Sequence, residues 1–243
     1  MNLLLLEPAE IAPDGTVSLR DRRAEHLRSV LQATKGRILE AGVLNGPIGQ
    51  AEVLSVDAES VTLRANCQDP APIARDVLLL AVPRPKVLLR MLELAASLGF
   101  CEIVLFRSWR VDKSHLGSQA LDPAVQDLHL RLGLEQARRT QLPRIKTFLL
   151  FRPFVEDHLP HLDLPAHRFC AHPFAAVATR DLALTANAPI ALCIGPEGGF
   201  LPWEVDQLAR SGLLPVRMSH HPLRTEAALA AMHAQLDLMR DRQ

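Results

Sequence analysis

Residues 190–200, Ile-Ala-Leu-Cys-Ile-Gly-Pro-Glu-Gly-Gly-Phe, combine an apolar run, a glycine-rich break and one carboxylate, Glu197. Ile190 to Ile194 read as a buried strand; Gly195, Pro196, Gly198 and Gly199 end it, and a helix-like run follows from Pro202. Open α/β sheets bind ligands at such strand ends. Glycines let a backbone approach a flat ligand closely and aim its N–H groups at it. A second constellation, Leu223-Arg224-Thr225-Glu226-Ala227-Ala228, opens the last helical pattern. Thr225 suits an N-cap and Glu226 favours the positive helix end. The Arg224 guanidinium could hold a phosphate or a developing negative charge. Glu226 could accept a proton, as could the loop imidazoles of His172 and His221. A tight turn without ligand and an ordinary capped helix start are the plainer alternatives.

Composition narrows the classes. At 243 residues, 48% apolar and 22% charged, the chain suits a soluble globular protein, more readily a small domain plus a larger one than a single domain. Lys+Arg and Asp+Glu both total 27, which excludes a whole-molecule basic field for nucleic acid but not a local patch. Cys67, Cys101, Cys170 and Cys193 are scattered without a C-x-x-C pair. This suggests neither a zinc site nor a disulfide framework, but reduced thiols in a cytoplasmic protein. Leu3–Leu6 is short and lacks a preceding basic region, so it reads as a first strand rather than a signal peptide. No stretch approaches the ~20 apolar residues of a membrane span. No Gly-x-Gly-x-x-Gly follows an early strand, which disfavours a Rossmann-type oxidoreductase.

The elements that must position these residues change character along the chain. In residues 1–69, apolar runs at Leu3–Leu6, Val17–Leu19, Arg37–Glu40, Ala51–Val56 and Ser60–Ala65 are separated by turn signals such as Asn45-Gly46-Pro47. That spacing predicts a small β-barrel, interrupted by one helix that Asp21 caps and whose stripe is Ala24, Leu27, Val30 and Leu31. Asp69-Pro70-Ala71-Pro72 reads as a linker. From residue 73, strands (Val77–Val82, Glu102–Phe106, Ile145–Phe151, Arg168–Ala171, Ile190–Ile194, Leu214–Met218) alternate with helices (Val87–Leu98, Pro123–Arg139, Pro202–Ser211, Thr225–Arg240), and 157–167 reads as loop. The alternation predicts a mostly parallel sheet covered on both faces. Residues 1–69 carry a net charge of minus three and 70–243 plus three, with the densest basic stretch at 131–146. That stretch is either a solvated helix face or a phosphate-contacting surface.

Ile194-Gly195-Pro196-Glu197-Gly198-Gly199-Phe200, then about 25 residues, then Leu-Arg-Thr-Glu, resembles the SPOUT superfamily of RNA methyltransferases, and more narrowly its RsmE family. Glu135-Gln136-Ala137-Arg138-Arg139 with Pro143 is similar to that family's Glu-Gln-x-x-Arg helix and following proline. Leu98-Gly99-Phe100 through Ile103 to Arg110 is similar to its Leu-Gly-Val strand segment ending in arginine. His26-Leu27-Arg28 lies in a part that resembles its PUA-like domain.

The resemblance implies a PUA-like RNA-binding β-barrel (1–69) followed by an α/β SPOUT domain (73–243) whose end is threaded into a deep trefoil knot. It implies a homodimer that uses S-adenosyl-L-methionine, without metal, to methylate N3 of a uridine in small-subunit ribosomal RNA. The cofactor would be held by His172, Ile194, Gly195, Pro196, Glu197, Gly198, Gly199, Met218, Leu223 and Thr225, with Pro173 in the third wall. Arg224 and Glu226 would serve the chemistry, and Arg28, Arg110, Arg138 and Arg139 would contact RNA. Another RNA position (tRNA or a 2′-hydroxyl) and a non-catalytic RNA- or nucleotide-binding module are the rival functions. The chain departs from the family pattern at Met218-Ser219-His220-His221-Pro222, where a glycine and an arginine are missing, and at Ala227, Leu94, Ser97, Leu4 and Gln32. The loss of arginines at Leu4 and Gln32 argues against ordinary RNA contacts through residues 1–69. These departures bear on the target more than on the cofactor pocket.

Overall fold

A computed structural model describes residues 2–219 and 221–241; His220 of the altered motif lies outside them. The chain divides into two compact units, one running up to Ile73 and taking in Arg131–Leu142, the other made of Ala74–Leu130 and Pro143 onward. In the first unit, β1 (Leu4–Leu6), β2 (Thr16–Leu19), β3 (Ile38–Val43), β4 (Ile48–Val56) and β5 (Val61–Asp69) form one sheet in the order β1-β3-β4-β5-β2. All neighbours are antiparallel except β1 on β3. Helix α1 (Arg22–Ser29) starts where the Asp21 carboxylate accepts the Arg23 N–H at 2.9 Å. It buries Ala24 and Leu27 against Leu4, Leu6, Val53 and Leu63. The expected stripe is narrower than its spacing suggested, because Val30 is 65% exposed.

In the second unit, β6 (Asp76–Ala81), β7 (Phe100–Phe106), β8 (Arg144–Phe148), β9 (His167–Ala171), β10 (Val177–Ala178), β11 (Ile190–Ile194) and β12 (Leu214–Arg217) make a seven-stranded sheet in the order β10-β12-β9-β11-β6-β7-β8. Every pairing is parallel. β6 and β11 are buried at every residue, as a strand covered on both faces must be. Val77, Leu79 and Ala81 pack with Cys193, Val205 and Leu208 on one face. The period-2 alternation sends Leu78 and Leu80 to the other, where helices α2 (Pro85–Leu98) and α6 (Thr225–Asp241) pack together and touch β7 and β11. Cys170 and Cys193 are free, buried thiols on paired strands.

Two expectations need correction. The strand expected over Ile145–Phe151 stops at Phe148. Pro153, whose ring presets a helical φ and removes a donor, lies in a helical stretch instead: α4 (Phe151–Pro153) continues as a π-turn (Phe154–His158) and a 3-10 turn (Leu159–His161). The supposed 157–167 loop is therefore partly helical, and it buries Leu159. Three cations of the basic stretch, which includes the end of α3 (Pro123–Ala137), have ion-pair partners. Arg22 pairs with Glu135 and Glu7 with Arg131 in the first unit. In the second, Glu102, only 5% exposed, receives both Lys146 and Arg144.

Asp76 fastens the second unit at the start of β6. Its carboxylate accepts two hydrogen bonds from Arg240 (2.9 and 2.8 Å) and the Ile190 N–H (3.0 Å), with His233 Nε2 at 3.3 Å. Burial pushes the carboxyl up. The hydrogen bonds of His233, Arg240 and Ile190 and the Arg240 charge outweigh it and bring the pKa down to about 2. A lowered carboxylate pKa contributes stability that is present above the unfolded value and lost as pH falls through the folded one. We expect about 2 kcal/mol of stability to disappear between about pH 4 and pH 2. Arg240→Ala should cost roughly 3 kcal/mol at neutral pH, because it strips a buried carboxylate of its main partner. Urea unfolding across pH measures both; an unchanged midpoint for the variant would contradict the assignment.

Candidate functional site

In the second unit, β9, β11 and β12 are neighbours in the order β12-β9-β11, and the loops leaving their carboxyl ends converge. The chain leaves β11, skips over β9 and re-enters the sheet as β12 on its far side. Ligands of parallel sheets sit at such a reversal of strand order. The cleft formed there, of about 250 Å³, is walled by His172 to Phe174, by Ile194 to Phe200, by Met218, Ser219, His221, Pro222 and Leu223, and by Thr225. The walls are mainly apolar (Ile194, Pro196, Val216, Met218, Leu223, Ala228). Among the described residues, the N–H groups of Gly198, Met218 and Leu223 have no hydrogen-bond partner. Apolar faces with a few free backbone donors suit a flat, partly polar ligand such as a nucleoside.

The glycine turn is held from several sides. Gly199 sits at φ +67° and donates its N–H to the Pro196 carbonyl at 2.8 Å. The Glu197 carboxylate accepts the Arg84 N–H at 2.9 Å, tying the turn to the residue that precedes α2. Arg110 Nη1 donates to the Gly198 carbonyl. A side chain at Gly198 would meet Arg110, its Cβ lying 3.2 Å from Arg110 Cδ. The turn ends in α5 (Pro202–Arg210), where the fully buried Glu204 accepts the N–H groups of Leu201 and Trp109, each at 2.8 Å. The first wall is fixed too, since the His172 N–H donates to the Val216 carbonyl at 3.0 Å. Burial lowers the His172 pKa below its ordinary value, so at neutral pH its imidazole is uncharged and able to accept a proton.

The structure brings His172, Ile194 to Gly199, Met218, Leu223, Thr225 and Arg110 to this one cleft. Arg224 and Glu226 do not line it. Glu226 is paired with Arg90 of α2 at 2.7 Å, which makes it a poor free base. Thr225 is not the N-cap: the Ala228 N–H bonds to the Arg224 carbonyl at 2.8 Å, so the helix begins one residue earlier and Thr225 is buried in its first turn. Arg224 is exposed, and its side chain has no ion-pair or hydrogen-bond partner among the described residues. Phe174, Ser219 and Ala228 also line the cleft; no chemical signature in the sequence marks them. In the first unit, Arg28 is paired with Glu25 at 2.6 Å, Arg138 is an exposed residue at φ +55°, and Arg139 bonds through its N–H to the Leu134 carbonyl.

Known proteins share this architecture. Residues 70–237 match the RNA methyltransferase domain family. Ribosomal RNA small subunit methyltransferase E of Treponema pallidum is 30% identical over 95% of this chain and 88% of its own length. The chain belongs to the RsmE family of RNA methyltransferases. Ribosomal RNA small subunit methyltransferase E 1 of Borreliella burgdorferi is 26% identical over 95% of both chains. The fold of this RsmE-family chain is that of a Neisseria gonorrhoeae ribosomal RNA small subunit methyltransferase E solved with S-adenosyl methionine (TM-score 0.76, 20% identity, 98% of each chain). It is also that of a Legionella pneumophila putative methyltransferase solved with the same cofactor (TM-score 0.75, 22% identity, 98% of this chain and 97% of that one). Among the described residues of this RsmE-family chain, no helix is long and apolar enough to cross a membrane, and no cluster of three or more His, Cys, Asp or Glu could hold a metal ion.

Proposed function

We propose that the protein methylates N3 of a uridine in small-subunit ribosomal RNA, with S-adenosyl-L-methionine as donor. The observation that carries this reading is the convergence of three loops, after β9, β11 and β12, on one apolar cleft with free backbone donors. Ile194 to Gly199, Met218, Leu223, Thr225 and His172 would hold the cofactor. When bound, the cofactor supplies an electrophilic methyl group on a cationic sulfonium.

The work left to the chain is alignment and electrostatics. A neutral imide nitrogen is a poor nucleophile, so the N3 proton would have to pass to solvent water as the new N–C bond forms and the donor's methyl–sulfur bond breaks. The negative charge that develops over O–C–N then needs a cation. Arg224, exposed beside the cleft and without a side-chain partner among the described residues, is suited to that or to gripping an adjacent phosphate. Glu226 is better read as a helix-start anchor for Arg90.

His172 adds a pH dependence. Its protonation places a cation against the site of a cationic ligand. Cofactor affinity should therefore hold from about pH 8 to neutrality and fall toward about pH 5. Calorimetric titrations across that range test this, and a His172→Gln variant should remove the dependence.

The rest of the reading follows the family: a PUA-like RNA-binding domain in residues 1–69, a knotted SPOUT domain in 73–243, and a cytoplasmic homodimer, with Arg28, Arg110, Arg138 and Arg139 contacting RNA. The skip of the chain across β9 between β11 and β12, and the return of α6 to β11, support the knot. The committed partners of Arg28 and the acidic balance of residues 1–69 leave Arg138 as the freer of the first unit's candidate contacts. The test is transfer of a labelled methyl group to small-subunit ribosomal RNA, followed by digestion to nucleosides. N3-methyluridine is expected; a different methylated nucleoside, or none, would overturn the assignment.

A further inference from the structure

The same end of the parallel sheet carries a second cleft, of about 750 Å³, that the proposed cofactor site does not use. Its walls come from residues 107–109 after β7, 150–153 after β8, and Leu201 and Trp203 at the start of α5. Three aromatic rings line it edge to face. The Trp109 and Trp203 centroids lie 6.4 Å apart at 79°, and Phe151 and Trp203 lie 5.3 Å apart at 87°. Trp109 is 71% exposed and Trp203 41%, unusual for the largest apolar side chains.

The cleft is also polar at chosen points. Ser108 is 1% exposed, and its Oγ has no hydrogen-bond partner among the described residues. Such an orphan costs free energy unless something completes it. Arg107 and Arg152 add positive charge to the lining. Arg152 is shared with an exposed Glu156 at 3.3 Å, and Arg107 has no ion pair among the described residues. The backbone beneath Trp109 is fixed by the buried Glu204. The next residue, Arg110, lines the cofactor cleft and holds the Gly198 carbonyl. Residues 107–110 and 198–203 are therefore shared walls between the two clefts.

We infer that this cleft binds an unstacked nucleobase of the substrate RNA that flanks the methylated one. This rests on the RNA-methyltransferase reading above. Aromatic faces stack on any base, and the two arginines complement the neighbouring phosphates. A strand running from the aromatic cleft over Arg110 presents its next bases to the cofactor site.

Trp109 and Trp203 are the chain's two tryptophans, and there is no tyrosine, so intrinsic fluorescence reports this cleft alone. Titration of the full chain with a short oligouridylate should quench that emission. Trp109→Ala should weaken oligonucleotide binding about tenfold, with Trp109→Phe restoring most of it. Calorimetry with S-adenosylmethionine should be unchanged in both variants. Oligouridylate that binds without quenching, or with equal affinity to Trp109→Ala, overturns the inference. So does sedimentation showing that Trp109→Ala breaks a dimer while RNA affinity is kept, because the cleft would then be covered by a second copy of the chain. Absence of S-adenosylmethionine binding to the unmodified protein would instead sink the function reading on which the inference rests.

Discussion

Arg224→Ala should lower turnover by about two to three orders of magnitude while leaving S-adenosylmethionine affinity almost untouched, the range seen when one preorganised charge-stabilising donor is removed. The split follows from position. Arg224 lies outside the walls of the cleft, and its carbonyl is spent on the first helical bond of α6. Other arginines nearby are occupied: Arg110 on the Gly198 carbonyl and Arg90 on Glu226. The Arg224 guanidinium has no such partner among the described residues, so it is free for the incoming RNA. Loss of kcat with an unchanged cofactor Kd marks an interaction made at the reacting base. Arg224→Lys should recover only part of the rate, since a point charge replaces a planar fork. Equal losses in kcat and cofactor affinity would move Arg224 into the pocket instead.

Gly199→Val should abolish cofactor binding with little change in thermal stability. A Cβ at this position meets nothing within 4 Å, so crowding is not the reason. The backbone is: at φ +67° a β-branched residue is a genuine outlier, and strain of about 1–3 kcal/mol would be relieved by breaking the Gly199 N–H bond to Pro196 and moving the wall. Gly199→Asn, which tolerates the left-handed region, should keep most of the affinity. If valine binds the cofactor normally, the turn is not part of the site; if asparagine is as damaging as valine, the requirement is space rather than backbone angle. Substitution at Gly198 works differently, because a side chain there displaces Arg110.

Much of this was legible in the residues, for identifiable reasons. Continuous apolar runs such as 77–81 and 190–194 reveal buried parallel strands because both faces are covered. Gly99 ends α2 in the left-handed conformation that its place after an apolar stripe implied. The glycine turn announced a wall of the cleft. What stayed hidden depends on distant partners. No local pattern tells that Arg144 and Lys146 are committed to Glu102, that Glu226 meets Arg90, or that Glu197 holds the backbone before α2. The two-residue β10 is too short to carry a period, and the parallel seat of β1 on β3 joins segments more than thirty residues apart. Trp109 and Trp203 carry no motif, and only the fold sets them edge to face.

The central claim is that the loops after β9, β11 and β12 enclose a methyl donor. A crystal structure of the protein with S-adenosylmethionine tests it most directly. The cofactor is expected between the 195–199 turn and the 218–223 segment, with His172 at its side and the methyl group open toward Arg224. Density for the cofactor elsewhere, or a cleft filled by its own side chains while the ligand is bound, would contradict the account.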